Sequence, residues 1–154
     1  METAAQREER YELHFERKIA APCDLLFEVW SQPKHIVNWW GPNEFTVPSC
    51  EVDFRVGGSY RLCMRSPEGD DHWLHGTYQE IDEPRKLVFT WRRENADGSI
   101  WCDTLVSVTF ETSGDGTIFR LYQRDFEGAA VRDEHRGGWS ECIDRLADYV
   151  TVPN

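Results

Sequence analysis

The sequence predicts an α+β protein in which a curved antiparallel sheet collects its helices on one face, in the order strand, helix, helix, six strands, long helix. Three observations carry that expectation. Two short helical segments between residues 22 and 42 are each opened by a proline, residues 45 to 125 read as short strands separated by turns, and after Phe126 the apolar period becomes that of a helix. A strongly twisted sheet that curls around one long helix can leave a hollow between them.

Residues 1–11 are polar and predict a flexible tail ahead of one domain over 12–152. Leu13, Phe15 and Arg17 alternate with His14, Glu16 and Lys18 before Ile19, the period of a first strand. Proline has a preset φ and no N–H to leave unpaired, so Pro22 and Pro33 mark the first positions of two helices, and Gly41-Pro42 marks the stop. Leu25, Leu26, Val29 and Trp30 fall on one helix face, and Ile36, Val37 and Trp40 repeat the spacing. Strands follow at about 45–54, 58–65, 73–82, 86–93, 100–111 and 117–125. Gly57-Gly58, Pro67-Glu68-Gly69-Asp70, Asp82-Glu83-Pro84, Asn95-Ala96-Asp97-Gly98 and Gly114-Asp115-Gly116 join them as the turns of a meander. Over about 131–150, Trp139, Cys142, Ile143, Leu146, Ala147 and Val150 recur at helical spacing, and one turn back the same face reaches His135. Gly137-Gly138 costs such a helix about 1 kcal/mol per residue relative to alanine, which predicts a group passing close to its backbone.

At 154 residues the chain has the size of one domain. Lys+Arg 17 against Asp+Glu 28, a formal charge of -11, with no basic run longer than Arg92-Arg93, argues against a nucleic-acid partner. Cysteines at 23, 50, 63, 102 and 142 are odd in number and hold no Cys-x-x-Cys pair, which suits reduced thiols and a cytoplasmic location. No stretch approaches the roughly 20 apolar residues of a membrane span, and the first ten residues lack the apolar core of a signal peptide.

The residues that punctuate this order are Ile19-Ala20-Ala21-Pro22, Phe27 and Trp30, Pro33, Trp39-Trp40-Gly41-Pro42, Phe45, Asp53-Phe54-Arg55-Val56-Gly57-Gly58-Ser59-Tyr60, Met64, Pro67 with Gly69, Gly76, Pro84, Leu87, and Gly137-Gly138-Trp139. Together, over about 13 to 150, the chain resembles the SRPBCC, or START-like, superfamily and within it the branch related to the activator of the heat-shock protein 90 ATPase. The resemblance implies a helix-grip fold with an internal cavity between the C-terminal helix and the sheet, used elsewhere in the superfamily for hydrophobic molecules. Fold analogy does not choose among ligands. Eukaryotic activators of the chaperone carry an additional N-terminal domain that this sequence lacks, which weakens the expectation of a chaperone partner.

Aromatic residues form 13% of the chain, with seven tryptophans, and an indole offers a broad apolar face with one N–H donor. Trp39, Trp40, Trp73, Trp91, Trp101 and Trp139 fall on elements expected around the cavity. Phe45 joins them, as do Tyr60, Leu62 and Met64 on one face of the third strand and Phe89 with Trp91 on one face of the fifth. In the fourth strand Trp73, His75 and Thr77 share one side and Leu74, Gly76 and Tyr78 the other; which side faces inward stays open, so Trp73, His75 and Tyr78 are all candidates. His75 and His135 are the candidate catalytic bases. Asp70-Asp71-His72 reads as a solvated turn rather than a metal site. Ser59, Ser66, Ser107 and Ser140 lack a nucleophile-elbow context, and Gly57-Gly58 and Gly114-Asp115-Gly116 lack the lysine of a phosphate loop. The leading expectation is therefore binding of a small hydrophobic, aromatic molecule without cofactor or metal. The alternatives are a cofactor-independent cyclase, lyase or hydrolase using a cavity histidine, and a co-chaperone-like interaction module. A homodimer is left open.

Overall fold

Local chemistry places the elements where the sequence expects them, within a residue or two. The computed structural model describes residues 11–151; the expected tail over residues 1–10 and Val152 lie outside the described residues. Strand β1 is Leu13–Ile19, followed by helices α1, Cys23–Ser31, and α2, Pro33–Trp39. Strands β2 (Thr46–Val52), β3 (Ser59–Arg65), β4 (Asp71–Asp82), β5 (Lys86–Glu94), β6 (Ile100–Ser113) and β7 (Gly116–Arg124) precede the long helix α3, Ala129–Thr151. Pro33 is the first residue of α2 as expected, whereas Pro22 sits one position earlier than expected, as the extended N-cap of α1, and its carbonyl accepts the first helical bond from Leu26 N–H at 3.1 Å. Tyr11, expected in the tail, packs against the core, and its carbonyl accepts from Phe126 N–H at 3.1 Å.

The seven strands form one antiparallel sheet in the order β1-β7-β6-β5-β4-β3-β2. The meander from β2 to β7 follows the turn residues, and β1 closes the far edge by pairing with β7 from Leu13↔Gln123 to Ile19↔Thr117. Both ends of β1 are buried, so its register is held by Leu13 and Ile19 on the core side. Gly76 lies opposite Tyr60 in the β3–β4 ladder, and a Cβ there would stand 1.9 Å from the Thr90 carbonyl oxygen and 2.7 Å from the Tyr60 ring. Only glycine lets β4 and β5 approach there while the Tyr60 hydroxyl donates to Thr90 O at 2.6 Å.

All three helices contribute to the apolar core, with α1 and α2 inserting Leu26, Phe27, Val29, Trp30, Ile36 and Trp39, and α3 adding Trp139, Cys142, Ile143 and Leu146. The last turns of α3 pack beside β1, where Arg17 pairs with Asp144. No described helix is long and apolar enough to cross a membrane.

Candidate functional site

Side-chain parity along the sheet decides what can face the helix. Tyr60, Leu62 and Met64 of β3 pair with Gly76, Leu74 and His72 of β4, so His72, Leu74, Gly76 and Tyr78 share the inward face. Trp73 and His75, candidates for the cavity, therefore lie on the opposite face. The Arg61 guanidinium covers the Trp73 ring at 3.9 Å, and His75 Nδ1 lies 2.8 Å from Glu94 Oε2, which also pairs with Arg61. The ladder shifts register only beyond Tyr78, too late to turn either residue inward.

The inward face is not one hollow. A cleft of about 340 Å³ opens between the N-terminal half of α3, the loop after α2 and the β3–β5 wall. Of the sequence candidates, Trp40, Phe45, Met64, Trp91, His135 and Trp139 line it, together with His72, Arg93, Glu134 and Glu141, which sequence reasoning had not assigned to it. Tyr60, Leu62, Tyr78 and Phe89 face inward too, but they surround a separate hollow of about 20 Å³ deeper in the core. Trp40 lines both spaces and stands between them. Trp39 lines neither; it is fully buried, its Nε1–H donating to Val29 O at 3.1 Å. Trp101 is also absent from the cleft wall, being half-buried beneath the Arg93 guanidinium at 4.9 Å.

The apolar floor is a cluster of indoles. Trp40 stacks on Trp91 with ring centres 5.9 Å apart, and Trp139 lies 5.1 Å from Trp91 and 5.7 Å from Trp40. A buried polar chain orients Trp139: its Nε1–H donates to Gln123 Oε1 at 2.7 Å, and the Gln123 amide donates to Thr104 Oγ1 at 2.8 Å. By contrast, Trp30 Nε1, behind this cluster, has no hydrogen-bond partner among the described residues.

The wall opposite the sheet is latched to α3. Arg145 Nη1 donates to the carbonyls of Trp40, Gly41 and Pro42 at 3.2, 3.0 and 2.8 Å, and Glu141 accepts the Asn43 N–H at 2.8 Å. Nothing presses on the glycine pair. A Cβ on Gly137 would have no neighbour within 4 Å and one on Gly138 would meet only Pro42 Cγ at 3.7 Å, so the expected close approach to the helix backbone is replaced by open space.

His135 is held as a neutral imidazole. A carbonyl only accepts, so the 2.9 Å contact with Val131 O makes Nδ1 the protonated nitrogen, and Nε2 then accepts the Trp91 Nε1–H at 3.2 Å. Burial holds its pKa below the usual histidine value, and the nearby Arg93 charge acts in the same direction. Acting as a base would require Nε2 to give up the indole bond and become charged in a desolvated site. Cys142, also on the cleft wall, is kept as the protonated thiol, since burial pushes its pKa up to about 12. Asp70-Asp71-His72 does not converge on an ion: Arg65 takes the Asp71 carboxylate through two hydrogen bonds and His72 turns into the cleft. Among the described residues no group of three or more histidine, cysteine or acidic side chains could hold a metal.

The family model described as Activator of Hsp90 ATPase homolog 1-like protein matches residues 20–151. The chain belongs to this family. Its architecture is shared with a protein of Silicibacter pomeroyi at 26% identity and a TM-score of 0.81, over 88% of this chain and 94% of that one. A protein of Chromobacterium violaceum, 22% identical, superposes with a TM-score of 0.82 over 93% of this chain and 99% of the other. One from Arthrobacter aurescens, 21% identical, gives 0.83 over 94% and 88%. No curated protein matches significantly in sequence. The branch and helix-grip fold implied by the residues are thus those of the molecule, and in general terms the fold is that of a ligand-binding domain.

Proposed function

We propose that this family member binds a small molecule with a flat, apolar, aromatic body in the cleft between α3 and the sheet, without a cofactor and without chemistry on the ligand. The observation that carries the reading is the floor of Trp40, Trp91 and Trp139 beneath an open volume of about 340 Å³. Ligand pockets span roughly 300–1,000 Å³, so this cleft suits a ligand of one or two fused rings. Binding is favoured over catalysis because both His135 nitrogens are engaged and Cys142 is a protonated thiol. It is favoured over a chaperone-type docking surface because, among the described residues, the exposed large apolar side chains Val37, Val56 and Ile100 belong to different elements: α2, the β2–β3 turn and the start of β6.

The test is a panel of one- and two-ring aromatic compounds titrated against the full chain, followed by tryptophan fluorescence and thermal unfolding. A true ligand at a hundred times its Kd stabilises the fold by about 2.7 kcal/mol. A panel that gives neither a fluorescence change nor a shift in Tm refutes the reading.

A further inference from the structure

Resting on that binding reading, we infer that the ligand is an acid: an aromatic carboxylate, or an anion of like geometry, whose charged group is received by Arg93. Phe89, Trp91 and Arg93 alternate along β5, so the strand that lays Trp91 on the cleft floor also delivers a guanidinium to its wall. Each other arginine among the described residues has a carboxylate or carbonyl partner. Arg92 pairs with Asp103, Arg61 with Glu94, and Arg145 holds three carbonyls. Among the described residues Arg93 has no carboxylate within ion-pair distance. Its contacts are the face of Trp101 at 4.9 Å and a long, 3.5 Å approach of Nη1 to His135 Nε2, an acceptor already used by Trp91.

Guanidinium carries five N–H donors in a planar fork that matches a carboxylate through two parallel bonds, and most of that capacity is unspent here. A half-buried, unpaired cation beside an indole floor is costly unless something anionic completes it. The two acids on the cleft do not complete it: Glu134, exposed on α3, attracts Arg93 from beyond ion-pair distance, and Glu141 is committed to the Asn43 N–H. The formal charge of -11 opposes anions at long range, so selectivity must come from contact within the cleft.

Three probes with one body separate the outcomes by calorimetric titration of the full chain: 2-naphthoate, neutral 2-naphthamide and cationic 2-naphthylmethylamine. The acid is expected to bind at least about tenfold more tightly than the amide, with the amine weakest. Arg93→Met should abolish the preference, so that acid and amide bind alike, and Arg93→Lys should restore part of it. Equal binding of acid and amide by the unaltered protein, a decision that needs no variant to fold, overturns the inference while the cleft reading stands. So does an unchanged acid affinity in Arg93→Met. Preference for the amine would assign the charge selection to Glu134 and Glu141 and also overturn it. Failure of all three probes to bind removes the inference together with the reading beneath it.

Discussion

One helix should respond with opposite signs to truncation at one end and addition at the other. Leu146 is fully excluded from solvent within the core, so Leu146→Ala removes three carbons from a packed site and should lower stability by about 2–5 kcal/mol, the range for leucine cavities that relax incompletely. Eight positions earlier, a methyl on Gly138 would meet only Pro42 Cγ, at the ordinary contact distance of 3.7 Å. Alanine there relieves the helical cost of glycine, and Gly138→Ala should gain up to about 1 kcal/mol. A larger side chain at the same place enters the cleft, so Gly138→Leu should keep the fold and weaken binding of an aromatic probe. Urea unfolding followed by circular dichroism measures the first two, and probe titration the third. If Gly138→Ala unfolds the protein while Leu146→Ala is harmless, the packed end of α3 is the one that carries the glycines and the reasoning is refuted.

Three further outcomes test the site. Gln123→Leu keeps the volume but strips the partners of Trp139 Nε1–H and leaves Thr104 without the amide; a loss of about 2–4 kcal/mol is expected in denaturant unfolding, with a changed tryptophan emission. Arg145→Met removes the donor shared by three carbonyls of the loop after α2, and should cost about 2 kcal/mol and raise hydrogen exchange at Trp40 to Asn43 more than elsewhere. His135 has its folded pKa below the unfolded one, so the unfolded chain takes up the proton first; stability is full above about 6.5 and falls as pH drops below it, with a slope of at most about 1.4 kcal/mol per pH unit from this residue. His135→Gln should flatten that part of the stability–pH curve, and an unchanged slope would mean the imidazole titrates as freely when folded as when unfolded.

Much of the fold could be read because turns and helix ends are local chemistry. Gly57, Pro33 and Gly41-Pro42 act through their own φ angles, Gly58 by lacking a Cβ that would stand 2.1 Å from Asp53 O, and they stand where the structure starts and stops its elements. The family resemblance drew on the same residues. The site was legible only where parity was unambiguous. Met64 and Trp91 follow from alternation, and Arg93, two residues beyond Trp91, and Gln123, two beyond Leu121, share that parity, but their polar side chains give no apolar signal in the sequence. In β4 parity failed to decide, since each face carries a histidine or an aromatic ring; Arg61 shelters Trp73 outside, which no spacing rule could reveal. Consecutive tryptophans posed the same problem at the end of α2. Trp39 is the last helical residue and turns into the core, while extended backbone at Trp40 sends the next indole toward the cleft.

An apolar hollow beside a flexible connection tends to close unless something holds it open, and here two features act together. Gly137 and Gly138 withdraw side chains from the stretch of α3 that would otherwise cover the Trp40–Trp91–Trp139 cluster. The facing loop cannot sink into the vacated space, because its carbonyls are tied to Arg145 and its Asn43 amide to Glu141, both one or two turns further along the same helix. The deeper hollow shows the alternative: behind Trp40, where no such tether acts, Tyr60, Leu62, Tyr78 and Phe89 have packed down to about 20 Å³. The cleft is therefore a property of polar restraint as much as of apolar lining. An acid seated on Arg93 would add a third polar tie, from the sheet side, to a space the helix already keeps open.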